Sequence, residues 1–174
     1  MLNLEADLAQ QAINMIIFLI FLILISVSIV GVFLYKRYFK NNTKMSFRES
    51  LDLTELPVVT FYSGNKKLNM LLDTGSSECV ISKEYLNEIW YKETDKKKEM
   101  FGMEGEIVIN PIISTIISYS GLKFDVEFLA ADMSQAFNLV KQESGVTIHG
   151  ILGSNFFTRY KYILDFDKLM FYKK

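Results

Sequence analysis

The run of apolar and polar positions divides the chain into two unlike parts. From Leu8 to Tyr35 no residue is charged, and Ile16 to Ile25 is almost unbroken Ile, Leu and Phe. A bilayer core of about 30 Å takes about 20 apolar residues at 1.5 Å rise each, so the pattern predicts one transmembrane helix over 12–35 behind a short tail, 1–11. Residues 36–54 are polar and charged with little apolar period, and read as a juxtamembrane tether. From Leu56 the pattern changes. Leu56 to Tyr62 is β-branched and aromatic, Ser63-Gly64-Asn65 interrupts it, and Leu68 to Leu72 is apolar again, which is a hairpin pattern. Glu106 to Ile117 and Leu122 to Leu129 repeat it around Ser118 to Gly121, and Tyr162 to Phe171 turns at Asp167-Lys168. Short strands at this spacing predict an all-β closed barrel over 55–174 rather than alternating strands and helices. Two short helices are expected, one over Lys83 to Trp90 and one capped by Asp132 or Ser134 and running to Lys141.

Charge orients the first part. Glu5 and Asp7 precede the apolar run, and Lys36, Arg37, Lys40 and Lys44 follow it. A secretory signal would begin with positive charge, carry a shorter apolar stretch and end in a small-residue cleavage site. The Lys/Arg excess places the C-terminal side in the cytoplasm, so the expectation is a single-pass cell-membrane protein with its N-terminus outside and the bilayer as one partner. Composition limits the second part. Half the chain is apolar and 14% aromatic, enough for a real core. A formal net charge of -1 offers no electrostatic footprint for nucleic acid. With Cys79 the only cysteine and His149 the only histidine, neither a disulfide framework nor a conventional metal site is expected, and no cofactor is implied.

The chemistry concentrates at Leu71-Leu72-Asp73-Thr74-Gly75-Ser76-Ser77, where an acid closes an apolar strand just before a turn. A carboxylate at a strand mouth, with glycine allowing a second backbone to approach, suits acid–base work. An Asp-Thr-Gly after a strand is also a common turn. A second string, Gly150-Ile151-Leu152-Gly153-Ser154-Asn155-Phe156-Phe157, stands near the C-terminus. Together the two resemble the retropepsin-like aspartic proteases, whose signature is Asp-Thr/Ser-Gly at the end of a buried strand and, much later, two apolar residues and a glycine. Between them Phe101-Gly102-Met103-Glu104-Gly105 resembles the glycine-bearing flap hairpin that closes over substrate. The resemblance covers roughly Leu56 to Tyr172.

What the resemblance implies is a retropepsin-like barrel with a flap, acting as an aspartic endopeptidase on peptide or protein substrates. One Asp-Thr-Gly per chain implies a homodimer, with Asp73 of each copy forming a pair that shares one proton. Thr74 would bridge the two loops, Gly75 would position substrate, and Ile151, Leu152 and Gly153 would support the site. Ser76, as in the pepsin-like loop, would donate to the Asp73 carboxylate. The chain departs from the viral members, which carry an acid in place of Ser77 and an arginine in place of Ser154. Losing both partners of such a pair together is neutral. In viral members the chain termini interleave to form the dimer sheet, whereas here the N-terminal side leads to the apolar helix.

Other features have simpler readings. His149 is expected to satisfy a backbone group, Cys79 to be a small buried apolar residue, and Asp165 and Asp167 to sit at a solvated strand end. Lys96-Lys97-Lys98 reads as a solvated turn. Two alternatives stay open: a catalytically inactive, membrane-tethered dimerisation or peptide-binding module on the same fold, and a single-pass scaffold with an unrelated β-domain.

Overall fold

The computed structural model describes residues 2–42, 44–101 and 107–173, and these fall into two units divided between Asn42 and Thr43. The first is one helix, α1 (Leu2–Asn42). Within it Ile13–Val32 has a mean hydropathy of 3.1 and is long and apolar enough to cross a bilayer, with none of its side chains buried in the protein. The apolar stretch expected over 12–35 therefore lies inside a longer helix. The hydroxyls of Ser26 and Ser28 donate back to the carbonyls of Ile23 and Leu24 at 2.8 Å. Both are thereby satisfied within the helix, as a bilayer interior would require.

The second unit begins earlier than the pattern of apolar residues suggests. Residues 36–54 read as a tether, yet α2 (Phe47–Thr54) is an ordered helix. Its start is a capping box: the Ser46 hydroxyl accepts from the Glu49 N–H, and the Glu49 carboxylate accepts from the Ser46 N–H at 2.9 Å. Those bonds hold the Glu49 carboxyl below its usual range. Phe47 and Leu51, four apart, face the main core, and Ser50 is buried with its hydroxyl oxygen accepting from the Val58 N–H at 2.9 Å. Upstream, Met45 is buried; its N–H donates to the Thr60 hydroxyl at 2.7 Å and its carbonyl accepts from the Thr60 N–H at 3.0 Å. A helix of eight residues shows one apolar pair, too little for a period to be visible in sequence.

The barrel itself comprises β1 (Val58–Ser63), β2 (Lys66–Leu72), β3 (Val80–Ser82), β4 (Lys92–Phe101), β5 (Ile107–Tyr119), β6 (Leu122–Ala131) and β7 (Gly150–Leu152). Their order is β1-β2-β7-β3-β6-β5-β4, and Tyr62 of β1 pairs with Ser118 of β5. That contact closes six strands into a barrel and leaves β4 outside, on the flank of β5. The all-β closed barrel read from the strand pattern is the fold observed. Leu68, Met70 and Leu72 alternate inward along β2, and meet Phe61, Ile81, Ile117, Phe128, Leu152 and Phe156 in one core. The helix expected over Lys83 to Trp90 is a shorter 3-10 turn, Lys83–Glu88. The next helix, α3 (Ser134–Ser144), follows Asp132, whose carboxylate accepts from the Ser134 N–H at 3.0 Å, and stops at Gly145 in the left-handed region. After β7 come α4 (Ser154–Tyr160) and a separate hairpin, β8 (Tyr162–Asp165) with β9 (Met170–Lys173).

Candidate active site

Two strand ends and one short strand fix the Asp73 loop. β7 lies parallel to β2, pairing Met70, Leu71 and Leu72 with Gly150, Ile151 and Leu152. On its other side it runs antiparallel to β3, pairing Val80 with Ile151 and Ile81 with Gly150. The loop 73–79 joins β2 to β3, so β7 is threaded between the two arms that the loop connects. Main-chain bonds complete the cradle: the Asp73 N–H donates to the Leu152 carbonyl at 3.0 Å, and the Ser154 N–H donates to the Ser76 carbonyl at 2.7 Å.

This threading explains the glycines that bracket Ile151-Leu152. A Cβ on Gly150 would fall well inside 3.0 Å of the Val80 carbonyl oxygen and the Met70 methyl. At Gly153 it would collide with the Glu78 carbonyl and the Ser76 carbonyl oxygen. The Gly153 backbone has φ of −84°, which any residue adopts. Its requirement is close approach, not conformation.

Within the loop, Asp73 is half-buried and its Oδ1 accepts from the Gly75 N–H at 2.9 Å. Thr74, Gly75 and Ser77 are exposed, so the polar rim of the loop points away from its own barrel. Leu152 and Gly153 are buried beneath it and Ile151 is half-buried. Ser76 departs from expectation. Its hydroxyl donates to the Glu78 carbonyl at 2.8 Å instead of to Asp73. The chain turns back over 76–78 and brings that carbonyl to the Ser76 side chain, the same carbonyl against which Gly153 packs. Of the residues expected to form a flap, Phe101 ends β4, and Gly102, Met103, Glu104 and Gly105 lie outside the described residues. The antiparallel pairing of β4 with β5 runs out to Phe101 opposite Ile107, on either side of them.

Glu78, Lys98 and Asn155 meet beside the loop, and Lys96-Lys97-Lys98, expected as a solvated turn, lies within strand β4. The Glu78 carboxylate takes the Lys98 ammonium of β4, and its other oxygen accepts from the Asn155 amide at 3.3 Å. The Asn155 carbonyl oxygen accepts from the Phe156 N–H at 2.7 Å and from the Cys79 thiol at 3.1 Å. They border a cavity of about 140 Å³ that Asp73 does not line. Burial pushes the Cys79 thiol up to about 11, the wrong direction for a nucleophile. Among the described residues no three His, Cys, Asp or Glu side chains are grouped to hold a metal.

Over residues 59–156, more than half of the chain, the sequence matches the family model described as aspartyl protease. The chain belongs to the aspartyl protease family. Among solved structures, a match is the EIAV protease complexed with the inhibitor HBY-793, at 20% identity and a TM-score of 0.44, over 62% of this chain and 90% of that one. No curated protein sequence matches the chain. The matched region holds both strings that carry the retropepsin-like reading, Asp73-Thr74-Gly75 and Ile151-Leu152-Gly153, and it excludes α1.

In this aspartyl protease the single histidine stands apart from the Asp73 loop. His149 is buried, its ring lies 4.4 Å from that of Tyr85, and its Nδ1 accepts from the Asn69 N–H of β2 at 3.1 Å. Burial, then the nearby Lys66 and Lys141, hold it neutral with its pKa pushed down to about 4. A group whose folded pKa lies below its unfolded value of 6.5 stabilises fully above 6.5, and the stability is lost as pH falls from there through about 4. The predicted loss across that window is on the order of 3 kcal/mol. Urea unfolding of the full chain at a series of pH values measures it. His149→Gln should flatten the slope between pH 6.5 and 4, and an unchanged slope would show that another group carries the acid sensitivity.

Proposed function

We propose that this protein is a membrane-anchored aspartic endopeptidase whose active site is made by the Asp73 loops of two copies. The observation that carries the reading is the cradle: β7 and two main-chain bonds hold Asp73 at the end of β2, while the outer rim of its loop, Thr74 to Gly75, is left facing solvent. One chain supplies one such loop. Peptide hydrolysis by this chemistry takes two carboxylates, one to accept a proton from water and one, protonated, to hydrogen-bond the scissile carbonyl. Carboxylates about 3 Å apart share one proton, which gives the two copies of Asp73 these two roles. Water oxygen adds to the carbonyl carbon, its proton passes to the ionised Asp73, and the C–N bond then breaks with a proton delivered to the leaving amine.

The remaining site residues follow from position. Thr74 lies at the rim, where it would meet its counterpart, and Gly75 beside it exposes backbone to substrate. Ile151, Leu152 and Gly153 hold the loop from beneath. Residues 101–105, which lie in sequence between β4 and β5, would serve as the flap that excludes water. The chemistry uses water as nucleophile and calls for no cofactor. The Ile13–Val32 stretch anchors the enzyme in the cell membrane, and the Lys36, Arg37, Lys40 and Lys44 flank puts the barrel in the cytoplasm. Peptides or proteins are the substrates, and nucleic acid is not.

Two tests address this reading. Full chain in detergent micelles should cleave members of a peptide library, and Asp73→Asn should lower kcat/KM by about 10²- to 10⁴-fold; equal cleavage by the variant would remove Asp73 from the chemistry. For orientation, protease added outside intact cells should leave the barrel undigested, and its digestion would place the domain on the other side of the membrane.

A further inference from the structure

The cavity beside the Asp73 loop carries one charge that no neighbouring side chain balances. Of the ions on its rim, Glu78 takes the Lys98 ammonium and Glu127 takes the Lys96 ammonium at 2.8 Å, so each carboxylate has its cation. Arg159 is the remaining one, and among the described residues no carboxylate pairs with it. Its guanidinium lies 5.3 Å from the centre of the Tyr160 ring. That contact steadies a cation without neutralising it. Tyr160 is itself fixed, its hydroxyl on the Asp125 carbonyl and its ring against Phe124 and Phe156. The Asp125 carboxylate accepts from the Ser114 hydroxyl at 2.6 Å and does not line the cavity.

The edge of β6 adds a backbone donor. This strand pairs with β5 over 122–129, but on its other side only 129–131 have a strand neighbour, β3, among the described residues. The Leu129 N–H points to that side and donates to the Cys79 carbonyl at 2.9 Å. N–H groups alternate in direction along a strand, so the Glu127 N–H points the same way, beyond the end of β3. Glu127 forms part of the cavity wall, and Val126, Leu129 and Phe156 give the wall its apolar part. With a volume of about 140 Å³ the cavity has room for one side chain. Sites for cofactors and small ligands run larger, at about 300–1,000 Å³.

We propose, on the reading that peptides are cleaved at Asp73, that this cavity is a subsite outside the catalytic cleft which takes an acidic side chain of the substrate, with Arg159 as the residue that selects it. Its place in the fold supports the assignment. Glu78 belongs to the loop that holds Asp73, and Lys98 lies on the strand that leads to residues 101–105. The ion pair they form stands between Asp73, which does not line the cavity, and Arg159, which does. A peptide leaving the space between loop and strand crosses that pair and meets Arg159 next. A guanidinium gives a carboxylate two parallel N–H bonds, and the apolar wall receives the methylenes of a glutamate. A lysine in the same place would set like charge against Arg159.

The test uses the full chain in detergent micelles and a peptide library with both termini blocked, in which Glu, Gln and Lys are exchanged at each position in turn. Blocked termini leave the side chain as the only carboxylate that is varied. At a position away from the scissile bond, wild type should prefer Glu over Gln about tenfold in kcat/KM, mainly through KM. Arg159→Ala should bring that ratio to about one, and Arg159→Glu should transfer the preference to Lys at the same position. The reversal separates selection from misfolding, since a damaged barrel would gain no new substrate. Binding is read separately, by fluorescence anisotropy of labelled library peptides on Asp73→Asn chains with and without Arg159→Glu. A Glu preference that survives Arg159→Glu, or no position at which the choice of side chain depends on Arg159, would overturn the subsite. The two proposals fail separately: peptides bound through Arg159 but never cleaved by wild type support the subsite and refute proteolysis, and cleavage indifferent to Arg159 does the reverse.

Discussion

The close approach of main chain around β7 is the constraint on which the site depends. A three-residue strand lies between β2 and β3, and it fits only because Gly150 and Gly153 present no side chain to Val80, Ser76 and Glu78. Its hydrogen bonds to both arms convert a turn between two strands into a rigid mount. Asp73 inherits that rigidity through its main-chain bond to Leu152, and α4 continues the mount toward the C-terminal hairpin. A side chain at either glycine would push the Asp73 loop off β7, so the pairing of an early Asp-Thr-Gly with a late Ile-Leu-Gly has a steric cause.

That cause also explains which parts of the protein could be read from residues alone. The apolar run inside α1 and the alternation of Leu68, Met70 and Leu72 in β2 are local patterns with long or strict periods, and the structure carries both. The Asp73 loop and Gly153, far apart in sequence, could be linked there only through resemblance, because Gly153 meets that loop at Ser76 and Glu78, a tertiary contact. α2 was hidden in charged surroundings, where the single pair Phe47 and Leu51 is its whole apolar face. Ser76 was misjudged for a different reason. The partner of a hydroxyl in a tight loop is set by where the next carbonyl falls, and here that carbonyl belongs to Glu78.

The Glu78, Lys98 and Asn155 cluster shows how the same loop communicates with its surroundings. Glu78 ends the polar part of the loop, Lys98 lies on β4, and Asn155 lies at the start of α4. The charged pair is partly exposed on both sides, so its direct contribution to stability is small. Its effect is positional, since it ties the strand that leads to residues 101–105 to the loop that holds Asp73.

A site divided between identical chains has a signature that no one-chain enzyme shares. When Asp73→Asn chains are mixed with an equal amount of wild-type chains and allowed to exchange in micelles, random pairing leaves about one quarter of the dimers with two intact carboxylates. The account predicts that peptidase activity, at constant total protein, falls to about one quarter of the all-wild-type value by this pairing rule. Activity of about one half, the result for chains that each work alone, would contradict it.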